Sequence, residues 1–305
     1  MDLGLQFGRA RRRLTYLIYR TLLRSVGFKR ARMLGGWSGE LQFRLFWRQR
    51  HRLQRDVALI LGRRSDDPYV VELLHEAYRV NNGAALEIMA MFDRRQDEHD
   101  LAACCELDGL EHLREAMAAG RGAILLATHS GNALLTTIRL AQAGWRISVV
   151  YRDARMMSEG FFQDGLEQYG IQAILANGGI RAYGQMLTAL KQGRIVFVMM
   201  DQGVKQAEDG LMQRFLGKDL PMPAGPAQLA RASRAPLLPL VTTAVSPVWR
   251  FEVRPQVALT GDTLESDVAF LVGVTEQQIL AYPKFWSWHH RRWGKSRLAP
   301  VSTRS

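Results

Sequence analysis

The sequence predicts an α/β protein with a mostly parallel central sheet flanked by helices and a helical N-terminal layer. From about residue 110 onward, short apolar runs alternate with helical patterns. Strands and helices that alternate at this spacing imply right-handed crossovers between parallel strands. The first hundred residues have a helical pattern instead, and the NNG triplet at 81–83 is their clearest predicted break.

The elements of the α/β part follow one another along the chain. LEHLREAMAAG is a good helix former that ends at Gly120, and the apolar run GAILLAT (122–128) then has the length of a strand. PAGPAQLARASR predicts a helix opened by proline, with apolar segments following it from residues 236 and 249. Between these parts we expect strands at 146–151, 171–175 and 194–200, and helices near 133–143, near 159–169 and up to Gln192.

The chain is expected to have three parts. We predict a basic helical region at 1–75 that lies at a membrane surface, an α/β domain at 76–297 and a tail at 298–305. The charge distribution motivates the first part. Residues 1–64 contain 16 Lys or Arg but only 3 Asp or Glu, whereas the rest of the chain is nearly neutral.

A basic segment can bind the phosphates of a nucleic acid, a membrane surface or a small anion. Its pattern favours an anionic membrane surface, although the apolar side of the first helix would suit the protein's own core equally well. We expect no nucleic-acid partner, because there is no zinc-finger spacing and no second basic block. On a helical wheel, Arg9, Arg13, Arg20 and Arg24 lie opposite Leu14, Ile18, Leu22 and Val26.

No apolar run reaches the roughly 18 residues that a membrane-spanning helix requires. The longest candidate, at 235–249, is shorter and contains three prolines. The N-terminus also lacks the uninterrupted apolar stretch of a secretory signal, so we expect the protein to stay on the cytoplasmic side.

Polar side chains follow three of the predicted strands directly. His129 comes after GAILLAT, Arg152 and Asp153 come after ISVVY, and Asp201 and Gln202 come after IVFVMM. Ligands of open α/β sheets bind at the carboxyl ends of the strands. We therefore expect these side chains to meet at one edge of the sheet.

The segment THSGN adds detail to this predicted site. Gly131 would let the backbone approach a ligand, and the following helix would direct its N-terminal N–H groups toward the same space, so we expect Gly131 and Asn132 to line a substrate site. His129 could take a proton from a hydroxyl while the N–H groups stabilise an oxyanion. The alternative is a helix-capping loop in which the histidine has no role.

Five sequence blocks resemble a known family, and they occur in the family's order: GLEHLREAMAAGRGAILLATHSGN, VVYRD, NGGIRAYGQMLTALKQGRIVFVMMDQG, RFLGKDLPMPAGPAQLARASRAPLLPLV and FWSWHHRRW. Together they resemble the bacterial lipid A biosynthesis acyltransferases of the lauroyl and myristoyl transferase type, over about residues 75–297. The resemblance implies a glycerolipid acyltransferase-like fold. It also implies acyl transfer from acyl carrier protein or acyl-CoA to a hydroxyl of a lipid or glycolipid.

The same resemblance implies a peripheral or monotopic protein on the cytoplasmic face of the inner membrane. It implies no cofactor and no metal. The adjacent His289 and His290 do not change this expectation, because no third ligand is near them in the sequence.

The family's catalytic motif is a histidine followed five residues later by an acid. The histidine maps onto His129, but the acid maps onto Leu134, which can neither accept a hydrogen bond nor hold charge. The family's DQ block maps onto Asp201 and Gln202. The resemblance also assigns substrate-binding positions, namely Arg152, Gln202, Gly225 and Pro226.

The missing acid leaves several hypotheses open. Asp153 or Asp201 could supply the charge through space, or His129 could act without an acid or with charge from the substrate. The chain could also be a non-catalytic relative that binds a lipid or a partner. From the apolar residue at 134 we predict that no carboxylate lies within hydrogen-bond reach of His129, and that Leu134→Glu restores a pair and speeds acyl transfer. If Asp153 or Asp201 already supplies the charge, Leu134→Glu should instead do little or harm.

Overall fold

A computed structural model describes residues 3–152, 157–204, 210–259 and 261–290, and within these ranges it describes side chains from residue 14 to residue 289. The helices are α1 (Leu3–Val26), α2 (Phe28–Leu45), α3 (Trp47–Ile60), α4 (Pro68–Asp93), α5 (Glu98–Ala103), α6 (Leu110–Ala118), α7 (Ala133–Gln142), α8 (Phe161–Glu167), α9 (Ile180–Lys191), α10 (Gly225–Ser233) and α11 (Leu264–Ala281).

In the described residues, the central sheet has seven strands in the order β1-β9-β8-β2-β5-β3-β4. Strands β8, β2, β5, β3 and β4 run parallel to one another, while β9 is antiparallel to β8 and pairs in parallel with β1. The predicted α/β class with a mostly parallel sheet is therefore confirmed. The strands are β1 (Cys105–Asp108), β2 (Ala123–Ala127), β3 (Ile147–Tyr151), β4 (Gln172–Leu175), β5 (Ile195–Met199), β6 (Leu211–Phe215), β7 (Lys218–Met222), β8 (Leu237–Ala244) and β9 (Trp249–Val253).

The sequence did not reveal β1 or the separate antiparallel hairpin of β6 and β7. Strand β1 has only four residues, and two of them are the exposed acids Glu106 and Asp108. The hairpin strands alternate between more and less exposed residues, so neither forms a continuous apolar run. The strands that were predicted are largely buried and resemble the fully covered strands of parallel sheets.

Strand β2 lies between two hydrophobic cores, and all five of its residues are buried. Ala123, Leu125 and Ala127 belong to one core, whereas Ile124 and Leu126 belong to the other. Successive side chains of a strand point to opposite faces of the sheet. Helices cover both faces here, which explains why this run contains no polar residue.

The predicted break at NNG is wrong, because α4 continues through it from Pro68 to Asp93. Asn81 and Asn82 each donate a side-chain hydrogen bond of 2.8 Å to the backbone carbonyl four residues earlier, so their amides stay within the helix. A Cβ on Gly83 would lie 3.1 Å from the Arg32 backbone oxygen. The small residue therefore permits close helix packing and does not form a turn.

Helix α2 packs with its backbone against α4. A Cβ on Gly35 or on Gly39 would lie 2.3 Å from a carbonyl oxygen of α4. Phe43 and Val57 share one hydrophobic core with Leu126 of the sheet. The domain boundary that we predicted after residue 75 falls inside α4, so the N-terminal helices and the sheet are joined by common packing.

Two of the predicted basic residues of α1 bind the protein, whereas the predicted apolar residues Leu14, Ile18 and Leu22 are exposed. Arg20 and Arg24 both bind Asp93 of α4, with N–O distances of 2.5 and 2.7 Å. The side chains of Arg9 and Arg13 lie outside the described residues. We call the exposed apolar side chains of α1 and α2 the outer apolar residues: Leu14, Leu17, Ile18, Leu22, Met33, Trp37, Leu41 and Leu45.

Candidate functional site

His129 and Asp201 meet because their strands are neighbours. Strands β2 and β5 pair in parallel with Ala127 opposite Met199. His129 and Asp201 each follow their strand by two residues, so the pairing places them at the same level of the carboxyl edge. Residues 72 positions apart in the sequence thus become direct neighbours.

The pair is closely bonded. His129 Nδ1 lies 2.7 Å from Asp201 Oδ1, and the backbone N–H of His129 donates to Oδ2 at 3.0 Å. Trp286 Nε1 also donates to Oδ2, at 2.7 Å. Asp201 is fully buried, whereas the His129 side chain is 34% exposed. An ionised carboxylate accepts only, so Nδ1 carries the proton and Nε2 is the ring atom that can receive one.

The expectation that no carboxylate lies within reach of His129 is therefore wrong. It came from a local motif, whereas the acid is supplied by a strand that is distant in the sequence. Leu134 lies in the first turn of α7, is half-buried, and packs against the hydrophobic core. Its side chain contributes to core packing and carries no charge.

The C-terminal segment at 283–289 holds this loop in place. Gly131 donates its backbone N–H to the Phe285 carbonyl at 3.0 Å, and Ser287 donates to the His129 carbonyl at 3.1 Å. Ser130 forms an isolated antiparallel bridge with Trp286. The segment therefore contacts both the histidine loop and, through the Trp286 indole, the carboxylate.

Gly131 and Asn132, which we predicted to line a substrate site, both make contacts that hold the loop. Gly131 has a positive φ of 58°, and a Cβ there would lie 2.3 Å from the Trp249 ring. Asn132 is 0% exposed, and its Nδ2 donates to Glu87 at 3.1 Å. Asn132 is buried whereas Gly131 is partly exposed, and their role in substrate binding stays a prediction.

The remaining predicted residues lie in different surroundings. Arg152 is exposed at the end of β3, which pairs with β5 and so ends at the same edge as His129. Gln202 is half-buried next to Asp201, and α10 begins with the half-buried Gly225 and the buried Pro226. Asp153 lies outside the described residues.

Glu87 is a buried carboxyl group that the sequence analysis missed. It is 3% exposed, and its Oε2 accepts hydrogen bonds from Trp249 Nε1 at 2.6 Å and from Asn132 Nδ2 at 3.1 Å. Burial raises the pKa of Glu87 to about 7, against the opposing effects of Arg32 and the two hydrogen bonds. An acid within the apolar stretch AALEIMAMF was the available signal.

Asn81 is a second residue that the sequence analysis missed. Its side-chain amide, which also bonds within α4, donates to the carbonyls of Phe285 and Trp286 at 3.1 and 3.2 Å.

In the part of the chain that the structure describes, no cluster of three or more His, Cys, Asp or Glu could hold a metal ion.

Comparison with known proteins gives consistent matches. The family model described as bacterial lipid A biosynthesis acyltransferase matches residues 9–295. A phosphatidylinositol mannoside acyltransferase of Mycobacterium tuberculosis (strain ATCC 25618 / H37Rv) is 30% identical over 206 residues, covering 65% of this chain and 64% of that protein. A phosphatidylinositol mannoside acyltransferase of Mycolicibacterium smegmatis (strain ATCC 700084 / mc(2)155) is 27% identical over 188 residues, covering 60% of this chain and 60% of that protein. The lipid A biosynthesis lauroyltransferase of Escherichia coli (strain K12) is 24% identical over 280 residues, 89% of this chain and 87% of that protein.

Proposed function

The chain belongs to the family of bacterial lipid A biosynthesis acyltransferases, and we propose that it transfers a fatty acyl chain from acyl carrier protein or acyl-CoA to a hydroxyl of a lipid or glycolipid. The observation that carries this proposal is the bond between half-exposed His129 and buried Asp201. The non-catalytic alternative rested on the missing acid at residue 134. A carboxylate bonded to His129 removes that reason and supports catalysis.

In the proposed reaction, His129 is the general base. Nε2 takes the proton of the acceptor hydroxyl while that oxygen attacks the thioester carbonyl carbon. The tetrahedral intermediate then collapses, the carbon–sulfur bond breaks, and the thiolate takes the proton back from the imidazolium. The products are an ester and a free thiol, and His129 returns to its neutral form.

Asp201 has two roles in this mechanism. Its carboxylate accepts from Nδ1–H and so fixes the tautomer in which Nε2 can receive a proton. Its negative charge also stabilises the imidazolium that forms during transfer. Trp286 and the His129 backbone hold Asp201 Oδ2, which keeps Oδ1 directed at the ring.

The N–H groups that could stabilise the oxyanion can be identified by excluding those that are already bonded. The N–H groups of Ser130 and Gly131 are bonded to the carbonyls of Thr128 and Phe285. Asn132, the N-cap residue of α7, does not cap that helix with its side chain. The first turn of α7, with the positive end of its dipole, is therefore the proposed donor to the developing negative charge.

The test is acyl transfer by the purified protein. We expect mass spectrometry to detect an ester product when acyl carrier protein or coenzyme A donors are offered with a panel of lipid acceptors. Reactions without acceptor measure hydrolysis of the thioester. If labelled lipid binds but neither ester nor hydrolysis product forms with any donor, the proposal fails.

We also propose that residues 1–75 attach the protein to an anionic membrane at the cytoplasmic face of the inner membrane. Within the described ranges, none of the helices combines the length and apolar character needed to cross a bilayer. The outer apolar residues support surface attachment, since apolar side chains of an interfacial helix insert at the level of the headgroups. Exposed cations that could meet anionic headgroups accompany them, at Arg30, Arg48, Arg52 and Arg55.

Vesicle binding tests the attachment. The protein is expected to sediment with anionic vesicles, and Trp37→Ala with Leu41→Ala should weaken binding about tenfold or more, because each truncation removes apolar area from the contact. Added salt should weaken binding through screening of the cations. Met212→Ala is the matched control, since Met212 is similarly exposed but belongs to the β6–β7 hairpin. The proposal would be contradicted if binding did not change with salt, with lipid charge or with the double substitution of Trp37 and Leu41.

A further inference from the structure

Glu87 lies beneath the loop that carries His129 and contacts it from the side opposite to solvent. Asn132 is the third residue after His129 and is fully buried, and its amide donates to Glu87 Oε2. The same oxygen accepts from the Trp249 indole at 2.6 Å. One carboxylate oxygen thus joins the loop to strand β9.

Trp249 gives Glu87 a second route to the loop. The indole ring occupies the space that a side chain at residue 131 would need, 2.3 Å from an ideal Cβ. Because the Nε1–H bond fixes the rotation of the indole, Glu87 also sets the surface against which Gly131 rests. Both contacts lie within three residues of His129.

Arg32 forms an ion pair with the other oxygen of Glu87. Its Nε lies 3.7 Å from Glu87 Oε1, and its guanidinium lies 5.4 Å from the centre of the Trp249 ring. The same guanidinium donates to the carbonyls of Val245 and Pro247 at 2.9 and 2.8 Å. Arg32 therefore links the Glu87 carboxyl group to helix α2 and to the turn between β8 and β9.

Glu87 is connected to the His129 loop through two residues, Asn132 and Trp249. We infer that Glu87 is a positioning residue for His129, because its hydrogen bonds to Asn132 and Trp249 set the conformation of the loop that presents the imidazole to the acceptor hydroxyl. The inference rests on the proposed acyl transfer for its effect on rate. A displacement of a reacting group by about 1 Å costs on the order of 100-fold in rate.

The variants separate hydrogen bonding from charge and from packing. Glu87→Leu removes both acceptors at similar size, and we expect it to lower kcat about 100-fold while KM for donor and acceptor stays within about threefold. Glu87→Gln offers an amide oxygen in place of Oε2, so it should retain both bonds and most of the activity. Asn132→Ala removes the bond between Glu87 and the loop but keeps the bond between Glu87 and Trp249. It should lower kcat in the same way, and it tests the inference even if Glu87→Leu does not fold.

The deciding measurement does not depend on catalysis. The Nδ1–H resonance of His129 in NMR spectra, assigned by its loss in His129→Ala, reports the bond to Asp201. It should shift or broaden in Glu87→Leu and Asn132→Ala but remain unchanged in Glu87→Gln. A wild-type protein without transfer activity would defeat the proposed function, while this resonance would still decide the role of Glu87.

Two results would overturn the inference. In the first, Glu87→Leu and Asn132→Ala lower the melting temperature but leave kcat and the His129 resonance unchanged, which would mean that Glu87 serves packing alone. In the second, Glu87→Gln is as impaired as Glu87→Leu, which would mean that the two hydrogen bonds are not what matters.

Discussion

Asp201→Asn is expected to lower kcat for acyl transfer by roughly 10²–10⁴-fold, about as much as His129→Ala. The two N–H groups that bond Oδ2 would select the amide oxygen of the asparagine. Its NH₂ group would then face His129 Nδ1, and Nδ1 would have to accept. The imidazole proton would move to Nε2, which is the atom that must receive the proton of the hydroxyl. The asparagine also carries no charge to stabilise an imidazolium.

Steady-state kinetics with saturating donor and acceptor check this result. Asp219→Asn is the matched control, because the Asp219 side chain is 71% exposed on β7. A variant Asp201→Asn that keeps kcat within threefold of the wild type would remove Asp201 from the mechanism.

Leu134→Glu in the same assay separates the local motif from the observed pair. With Asp201 already bonded to His129, a second carboxylate at the half-buried Leu134 is expected to have little effect or to be harmful. Placing a carboxylate near the core costs desolvation energy. If Leu134→Glu raised kcat tenfold or more, the acid of the motif would be the important one after all.

Gly131→Ala is expected to reduce the free energy of unfolding by about 2–4 kcal/mol, from overpacking and from the left-handed backbone. The new Cβ would be 2.3 Å from the Trp249 ring, and that ring is held by its bond to Glu87. The positive φ of 58° adds strain for any residue with a Cβ. Thermal or chemical unfolding of the purified variant measures the loss.

Gly36→Ala provides the control for this substitution. Gly36 lies in α2, and a Cβ there would meet no atom within 4 Å. Alanine at that position should be neutral or stabilising by up to about 1 kcal/mol, because it favours helix. If Gly131→Ala unfolded at the same temperature or denaturant concentration as the wild type, the prediction would be wrong, and the indole of Trp249 would have to move to accommodate the new Cβ.

The sequence by itself determined the fold class and the edge of the sheet on which the candidate site lies. Apolar runs such as AILLA are buried on both faces of the sheet, so their composition identifies them as parallel strands. Because strand ends are visible in the sequence, His129 and Asp201 were both found as residues that follow a strand. These features depend on local composition and periodicity, which a single chain displays directly.

Only the tertiary structure decided which groups contact one another. Asp201 reaches His129 because β5 pairs with β2, and the order of strands in a sheet is not written in any local pattern. The NNG triplet stays helical because α2 packs against it, so tertiary contact overrides the tendency of Asn and Gly to form a turn. Residue 131 is restricted to glycine by the ring of Trp249, which lies more than a hundred residues away in the sequence. Local propensities are weak, about 1 kcal/mol or less per residue, and burial of distant side chains against one another exceeds them.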